Sequence, residues 1–465
     1  MIYDLAIIGA GSGGLSVAAA AAQFGQKVIL FEKGRMGGDC LNYGCVPSKA
    51  LIAAAKQAHV FRTSGPYGIS AAEPKVDFKK VHAHIKKVIA AIEPNDSAAR
   101  FENLGVKVVL SAAKFRDAKT LEAGDVIFSA KRFVIATGSR PAVPPIPGLD
   151  TVPYFTNETI FENTVLPKHL IIIGGGAIGM ELAQAHRRLG SQVAVIEAFA
   201  PLAKDDPELT AIVLESLRRD GVNILSQTAI KKISKSKSGI VIETARHGKI
   251  SGSHLLVATG RAANVEGLNL EAAGVVYTAK GVTVDKGLRS SQKHIYAIGD
   301  VAGGLQFTHV ANYHAGLVIR NALFRLPVKD RTDIIPHVTF TDPELAQVGL
   351  TEVEARKEYG ASMKVVRWPF HNNDRAQAEG KTAGLIKAVI GKRGRILGVG
   401  IVGANAGELI QPWILAMAEG LKIRAIAGMV APYPTLGEIN RRVAVNYFSG
   451  LASNPWVRRV IRLLS

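Results

Sequence analysis

Both cysteines of this 465-residue chain fall in one short run, GGDCLNYGCVPSK, from Gly37 to Lys49. Cys40 and Cys45 are five residues apart, and Lys49 follows the second by four. Paired thiols of this kind could bind a metal, form a structural staple, sit as two unrelated buried groups, or carry electrons as a reversible disulfide. Zinc would need further ligands, and no nearby His or Cys pair supplies them. Five residues of ideal helix rise about 7.5 Å, whereas a disulfide needs Cα atoms within roughly 6.8 Å. The two sulfurs can therefore join only where the segment departs from a regular helix, and Gly44 with Pro47 makes such a departure plausible.

The elements around this run must place it against something. The N-terminal stretch YDLAIIGAGSGGLSVAAAAAQFGQKVILFEK reads as a buried strand, a Gly9-x-Gly11-x-x-Gly14 turn, an alanine-rich helix and a second strand closing at Glu32. Gly9 permits the tight turn, Gly11 lets a pyrophosphate approach the backbone, and Gly14 lets the helix pack close to the strand. The helix N-terminus offers N–H groups and partial positive charge to phosphates, and Glu32 can accept hydrogen bonds from adenosine ribose hydroxyls. The unit recurs at HLIIIGGGAIGMELAQAHRRLGSQVAVIEA, with Gly174, Gly176, Gly179 and Glu197. The Gly-to-Glu interval is 23 residues in both copies, which lie 165 residues apart. Two such units imply two dinucleotide sites. The carboxylate of Glu197 disfavours a 2′-phosphate, so NAD is expected over NADP, although Arg187 and Arg188 in the preceding helix weigh against that preference. Two apolar strands leave through the same Ala-Thr-Gly turn, at Thr137-Gly138 and at Thr259-Gly260, and IYAIGDVAG reads as a strand ending at Asp300, placed to bind a polyol hydroxyl.

Composition sets the remaining bounds. The length calls for two to four domains, and 48% hydrophobic residues with 47 glycines suit an α/β chain with many tight turns. No apolar run reaches the roughly 18 residues of a membrane span. The first residues read as a strand rather than a leader, so the cytoplasm is the expected compartment. The formal charge of +19 favours anionic partners, but no nucleic-acid motif accompanies it, and none is expected to bind.

Taken together, Gly9–Gly14 with Glu32, Cys40-x4-Cys45-x3-Lys49, both Ala-Thr-Gly turns, Gly174 to Glu181, Gly299-Asp300 and FTDPELAQVGLTE resemble the class I pyridine nucleotide-disulfide oxidoreductases over nearly the whole chain. That family includes dihydrolipoamide dehydrogenase, glutathione reductase and mercuric reductase. The resemblance implies an α/β fold with two Rossmann-like dinucleotide-binding domains, for FAD and NAD, and an α+β C-terminal dimerisation domain. It divides the chain into an FAD domain (1–148), an NAD(P) domain (149–265), a return segment completing the flavin site (266–333) and an interface domain (334–465) of a homodimer. It puts FAD on the first cradle with Asp300 at the ribityl chain and backbone contacts from Ala113 and Thr308. It makes Cys40–Cys45 a redox-active disulfide, with Cys45 against the flavin and Cys40 meeting the substrate, and it pairs Lys49 with Glu181 near the flavin. No resident metal is implied.

One part of the pattern breaks. The disulfide reductases of this family mostly carry His-Pro-Thr with a glutamate five residues after the histidine; here the run is Tyr433-Pro434-Thr435, with Glu438. Tyrosine, with an ordinary pKa near 10, is a poor base at neutral pH, so Glu438 is expected to lack the partner it would orient. A tyrosine here resembles mercuric reductases, yet their C-terminal vicinal cysteines have no counterpart in VRRVIRLLS. The expected enzyme is an FAD-dependent NAD(P)H oxidoreductase passing electrons through the cysteine pair to a disulfide, metal or small-molecule acceptor. Dihydrolipoyl dehydrogenase and a mercuric reductase-like metal reductase are the alternatives within the class; a membrane-associated flavoprotein scaffold or redox sensor is the alternative outside it. The tail NPWVRRVIRLLS places Trp456, Val457, Val460, Ile461 and Leu464 opposite Arg458, Arg459 and Arg462 on a helix. Such a helix commonly packs on its own dimer; it can also make peripheral contact with an anionic membrane.

Overall fold

The computed structural model describes residues 1–237 and 239–464. By its internal contacts the chain forms two compact units: Met1–Gly174, Ala185–Ile196 and Thr228–Asp330 make one, and Gly175–Gln184, Glu197–Gln227 and the chain from Arg331 onward make the other.

The first unit is organised by a five-stranded parallel sheet, in the order Ile295–Ala297, Phe133–Ile135, Leu5–Ile8, Val28–Phe31, Lys107–Val109. Its inner strands are unbroken apolar runs, as expected where both faces are covered, and Leu5, Ile7, Ile29, Leu30, Phe133 and Ile135 are fully buried. Helices Ser12–Gln23 and Thr308–Ala322 pack together over one face. Their close approach depends on small residues: a Cβ on Gly13 would lie 3.2 Å from Cβ of Ala311. The strand before Asp300 is shorter than expected. It ends at Ala297, and Asp300 sits in a one-turn 3-10 helix, Gly299–Ala302. A second parallel set in this unit pairs His169–Ile173 with Gln192–Ile196 and with His254–Val257.

In the second unit, an antiparallel sheet runs His337–Thr339, Glu344–Gly349, Ile396–Gly403, Leu385–Ile390, Lys364–Pro369. Helices including Gln411–Ala418 and Glu438–Asn446 cover it, around a core of Trp413, Phe370, Ile386, Ile401, Ile439 and Val443. The buried Trp413 donates its indole N–H to Asn440 Oδ1 at 2.8 Å, so its one polar atom is satisfied. Lys387, 4% exposed, points out of this sheet into three carboxylates: Asp206 and Glu208 at 2.8 Å and Glu352 at 2.7 Å. Arg367 joins the group at 2.9 Å from Glu208 and 2.6 Å from Glu352. These cations hold the Glu352 carboxyl down at about 2 against the opposing effect of burial.

Candidate functional site

At the first cradle the chain turns sharply after strand Leu5–Ile8. Gly9 has φ +106°, and a Cβ there would lie 2.4 Å from the Ala136 carbonyl oxygen. Gly14 is as constrained, since a Cβ would meet the Gly9 carbonyl oxygen at 1.9 Å. Helix Ser12–Gln23 then starts at Gly11 with no side-chain cap and no acidic residue in its first turn. Its leading N–H groups and the positive end of its dipole are thus left for an anion. Glu32 takes the N–H of Ala10 at 2.7 Å on one oxygen and that of Gly34 at 2.7 Å on the other. A carboxylate has about four acceptor positions, so two remain for hydroxyl donors. The chemistry suits the pyrophosphate and ribose of a dinucleotide.

The second cradle repeats the first at the level of single hydrogen bonds. Gly174 has φ +109° and lies against the Ala258 carbonyl as Gly9 lies against Ala136. Gly174 N–H donates to Ile196 O at 2.9 Å where Gly9 N–H donates to Phe31 O at 2.8 Å. Glu197 accepts from Gly175 N–H at 2.6 Å and from Phe199 N–H at 2.8 Å, the counterparts of the two bonds to Glu32. The residue five beyond each glutamate also donates to its turn, Gly37 to Ala10 O and Leu202 to Gly175 O, both at 2.9 Å. Gly176 and Gly179 follow in the same turn and in helix Ala177–Arg188.

The two Ala-Thr-Gly turns lead into short strands, Ser139–Pro141 and Arg261–Ala263, that pair with each other. Gly138 has φ +67° and Gly260 has φ +130°. The Thr137 hydroxyl donates to Asn264 O at 2.7 Å, while the Asn264 amide donates back to Thr137 O at 2.9 Å. Ala113 is buried just ahead of strand Lys114–Asp117.

Between the cysteines the backbone breaks. Cys40 lies in helix Gly38–Asn42, Gly44 takes φ −122° and ψ −109°, and Cys45 opens helix Cys45–Thr63. The departure from a regular helix that a disulfide requires is therefore present. Both thiols are free in this structure. Cys45 Sγ is 3.4 Å from the Thr308 hydroxyl. Its pKa is lowered to about 6 by a hydrogen bond from Cys40, then by Thr308 and the charge of Lys49, against burial and the charge of Asp39. The hydrogen bond and burial push Cys40 up instead. These influences favour the negative charge on Cys45 over Cys40, and Cys45 stands at a helix N-terminus, the usual place for an acidified cysteine.

Sequence reasoning missed the group that holds this loop. Arg261 Nη2 is 3.2 Å from Asp39 Oδ1, and its Nε lies 2.6 Å from Ser139 Oγ and 3.7 Å from Asp300 Oδ2. Ser139 in turn donates to Asp300, and Asn157 donates to Asp39 at 3.1 Å. Burial raises Asp300, while the Ser139 hydroxyl and the Arg261 guanidinium oppose it. One arginine therefore ties the residue beside Cys40 to the acid at the end of the central sheet. The only sequence signal was an arginine directly after the second Ala-Thr-Gly turn.

The other named residues lie as follows. Glu181 is buried and accepts from Phe340 N–H at 2.9 Å, so it is no surface carboxylate. Tyr433 is 68% exposed and precedes a cis peptide bond to Pro434. Its hydroxyl donates to Asp374 at 2.8 Å, and that bond raises its pKa further. Glu438, which has no histidine to orient here, is held by Arg442, a turn later in helix Glu438–Asn446, which donates to it at 2.8 and 2.6 Å. The tail forms helix Pro455–Leu464 with none of its residues buried, and Trp456, Leu463 and Leu464 are exposed by 74%, 79% and 83%. Among the described residues no helix is long and apolar enough to cross a membrane, and no cluster of three or more His, Cys, Asp or Glu could hold a metal.

Residues 3–315 match the family model for pyridine nucleotide-disulphide oxidoreductases, and residues 335–444 match that family's dimerisation domain. A mercuric reductase of Lysinibacillus sphaericus is 37% identical over 453 residues, covering 96% of this chain and 82% of that protein. A dihydrolipoyl dehydrogenase of Thermus scotoductus is 36% identical over 461 residues, covering 94% of this chain and 95% of that protein. Among solved structures, the Cu(II) complex of the HOCl-induced flavoprotein disulfide reductase RclA from Escherichia coli is similar with a TM-score of 0.86 at 28% identity, covering 96% of this chain and 99% of that one. LpdA from Mycobacterium tuberculosis superimposes with a TM-score of 0.89 at 25% identity, covering 96% and 100%.

Proposed function

The chain belongs to the pyridine nucleotide-disulphide oxidoreductases, FAD-dependent enzymes with a dimerisation domain, and from that premise we propose that it uses NADH to reduce the Cys40–Cys45 disulfide and passes the electrons to a thiophilic metal ion. FAD, when bound, supplies the two-electron link between nicotinamide and the cysteine pair. Gly9, Gly11, Gly14 and Glu32 are the residues that would hold its adenylate half, with Asp300, Ala113, Thr137, Gly138 and Thr308 along the rest. Gly174, Gly176, Gly179, Glu197 and Gly260 would hold NAD. Glu197 carries the preference for NADH, because its negative charge opposes a 2′-phosphate.

In the reductive half, NADH gives up a hydride equivalent; the S–S bond breaks, leaving Cys40–SH and Cys45–S⁻. Lys49 and the Thr308 hydroxyl favour that thiolate. The observation that carries the choice of acceptor is the chemistry at the Tyr433 position. A divalent metal ion taking two electrons lets the S–S bond re-form with release of one proton, so no proton donor is needed. A disulfide acceptor consumes a proton in the same step. Here the family's histidine is replaced by a tyrosine that already donates to Asp374, and Glu438 is held by Arg442. The residues suit the reaction that needs no acid. The test is the anaerobic rate of NADH oxidation with Hg(II) buffered by excess small thiol, set against the rate with lipoamide. The metal is expected to be faster by at least about ten-fold, since a positioned acid–base contributes roughly 10²–10⁴ to the reaction that requires one. Faster lipoamide turnover would reject the metal reading and favour dihydrolipoyl dehydrogenase.

Helix Pro455–Leu464 supports a second element of this reading, docking of the enzyme on an anionic bilayer. At about 100° per residue, its apolar residues fill an arc of roughly 160°, flanked by Arg458 and Arg459 and backed by Arg462. An exposed apolar face bordered by arginines complements anionic headgroups. Vesicles containing phosphatidylglycerol should carry the full chain on flotation and leave behind a chain ending at Ser453, with neutral vesicles carrying neither. Equal behaviour of the two chains, or a change of oligomeric state on truncation, would reject the membrane in favour of a partner copy.

A further inference from the structure

The central sheet of the first unit has two ends. At the C-terminal ends of its strands lie Gly9, Ala136 and Gly299-Asp300, the turns of the first cradle. At the opposite end, just ahead of strands Phe133–Ile135 and Ile295–Ala297, stand Lys131, Arg132, Lys293 and His294. A strand of three residues spans about 10 Å, so the two ends are separate places. A cavity of about 490 Å³ opens at this second end, and its lining includes five cationic side chains: Lys131, Arg132, Arg289, Lys293 and Arg325.

Only one of the five has a carboxylate. Lys131 pairs with Asp4 at 2.7 Å; the other four make no ion pair among the described residues. Arg325 follows the C-terminus of helix Thr308–Ala322, where a cation is favoured by the helix dipole. That dipole is worth about half a charge and does not account for four. Arg289 is the fixed member. Its Nε and Nη2 donate to Asn321 Oδ1 at 3.0 and 2.7 Å, and the Tyr296 hydroxyl donates to the same oxygen at 2.9 Å. Asn321 is buried, and its amide nitrogen is spent on Leu326 O at 2.9 Å. The guanidinium is therefore held in place by a neutral acceptor. Its charge is not cancelled, and three of its five N–H donors are left over.

From this geometry we infer a second anion site, distinct from both dinucleotide cradles: the cavity binds a multivalent phosphate anion, with Arg289 as its fixed fork and Arg132, Lys293 and Arg325 closing on the same oxygens. Planar guanidinium groups match phosphate oxygens two at a time, and 490 Å³ lies within the usual range for a small-ligand site. Of the two rings in the lining, Tyr296 is buried with its hydroxyl taken, and His294 is held by Ala118 O at 2.6 Å on Nε2 and packs against the Phe133 ring. The phosphate chain, and not a base, is what the site recognises.

The test uses the FAD-loaded enzyme saturated with NAD⁺, so that both cradles are filled, and titrates it calorimetrically with inorganic tripolyphosphate, with ATP and with orthophosphate. One site per chain is expected, equal for tripolyphosphate and ATP and much weaker for orthophosphate. The surface double variant K293A/R325A should weaken tripolyphosphate binding at least about ten-fold, as for loss of charge-assisted hydrogen bonds. R289Q should weaken it further, with NADH oxidation unchanged in the double variant. No binding once NAD⁺ is saturating, or the same affinity in the double variant, would overturn the inference. ATP binding much more tightly than tripolyphosphate would overturn the phosphate-chain assignment.

Discussion

Replacing Cys40 by alanine removes the largest of the influences that acidify Cys45. In the reduced enzyme Cys45 is brought to about 6 from an ordinary 9.0, with the bond from Cys40 first among the causes and Thr308 and Lys49 behind it. Suppose the variant leaves those two in place and Cys45 rises by about two units, to roughly 8. The thiolate fraction at pH 7 then drops about ten-fold, from roughly 90% to 9%. A more basic thiolate is also a better nucleophile, with a Brønsted coefficient of about 0.4–0.5, so its intrinsic rate rises about eight-fold over the same two units. The two effects nearly cancel at pH 7, and a rate measured at one pH would show almost nothing. The midpoint and the plateau are what move. The assay is iodoacetamide alkylation of NADH-reduced enzyme from pH 4.5 to 9.5, with Cys45 resolved from Cys40 by fragmentation of their shared peptide. Wild type should give a Cys45 midpoint near 6, and Cys40→Ala a midpoint at least one unit higher with a raised plateau. Asp39→Asn should move it the other way, since the Asp39 charge opposes the thiolate. A Cys40→Ala midpoint within half a unit of wild type would refute the argument that one sulfur sets the charge of the other.

Tyr433→His should restore a titrating group beside Glu438 and raise lipoamide turnover about ten-fold or more without improving metal reduction; steady-state rates with both acceptors check this, and an unchanged ratio would remove Tyr433 from the acceptor argument. Glu197→Gln should lower kcat/KM for NADH by about ten-fold and narrow the gap to NADPH, measured as the ratio of the two constants. Lys387→Met leaves the buried Asp206 without its cation, while Glu352 keeps Arg367 and Arg356, and should cost about 3–5 kcal/mol in denaturant unfolding at pH 7. The pH dependence of that cluster has a definite sign. Glu352 is depressed from 4.5 to about 2, so its contribution is present above pH 4.5 and fades as the pH falls toward 2; Lys387 is raised above 10.5, so its contribution is present below that pH and fades above it. Wild type should therefore lose stability more steeply than Lys387→Met on acidification below pH 4.5.

What was legible in the sequence was whatever the chain writes locally. Gly9, Gly14 and Glu32, and their copies at Gly174, Gly179 and Glu197, lie in continuous strand–turn–helix–strand units whose spacing follows from backbone geometry. The cysteine pair was legible for the same reason, and Gly44 broke the helix where the spacing demanded it. Hidden from that reading were contacts between residues far apart in the chain. Asp39 meets Arg261 across 222 positions, and Ser139 meets Asp300 across 161; no periodicity reports such a pairing. The partner of Glu438 was hidden differently. Arg442 is one helical turn away, an i,i+4 neighbour that lies beyond the Tyr433–Glu438 motif itself. The phosphate cavity was dispersed through the bulk charge, since its cations come from three separate stretches of sequence.

The matched hydrogen bonds of the two cradles bear on how ligands come and go. Each strand-end glutamate grips two backbone N–H groups of its own turn, and a third N–H from five residues on closes the same turn. These bonds form on folding, so the ordering entropy of both turns is spent before any ligand arrives. A nicotinamide cofactor must depart after every cycle and be replaced by another. If the second cradle holds that cofactor as proposed, its turn is already shaped and does not have to reorganise at each exchange, so turnover is spared a conformational step that a looser loop would impose.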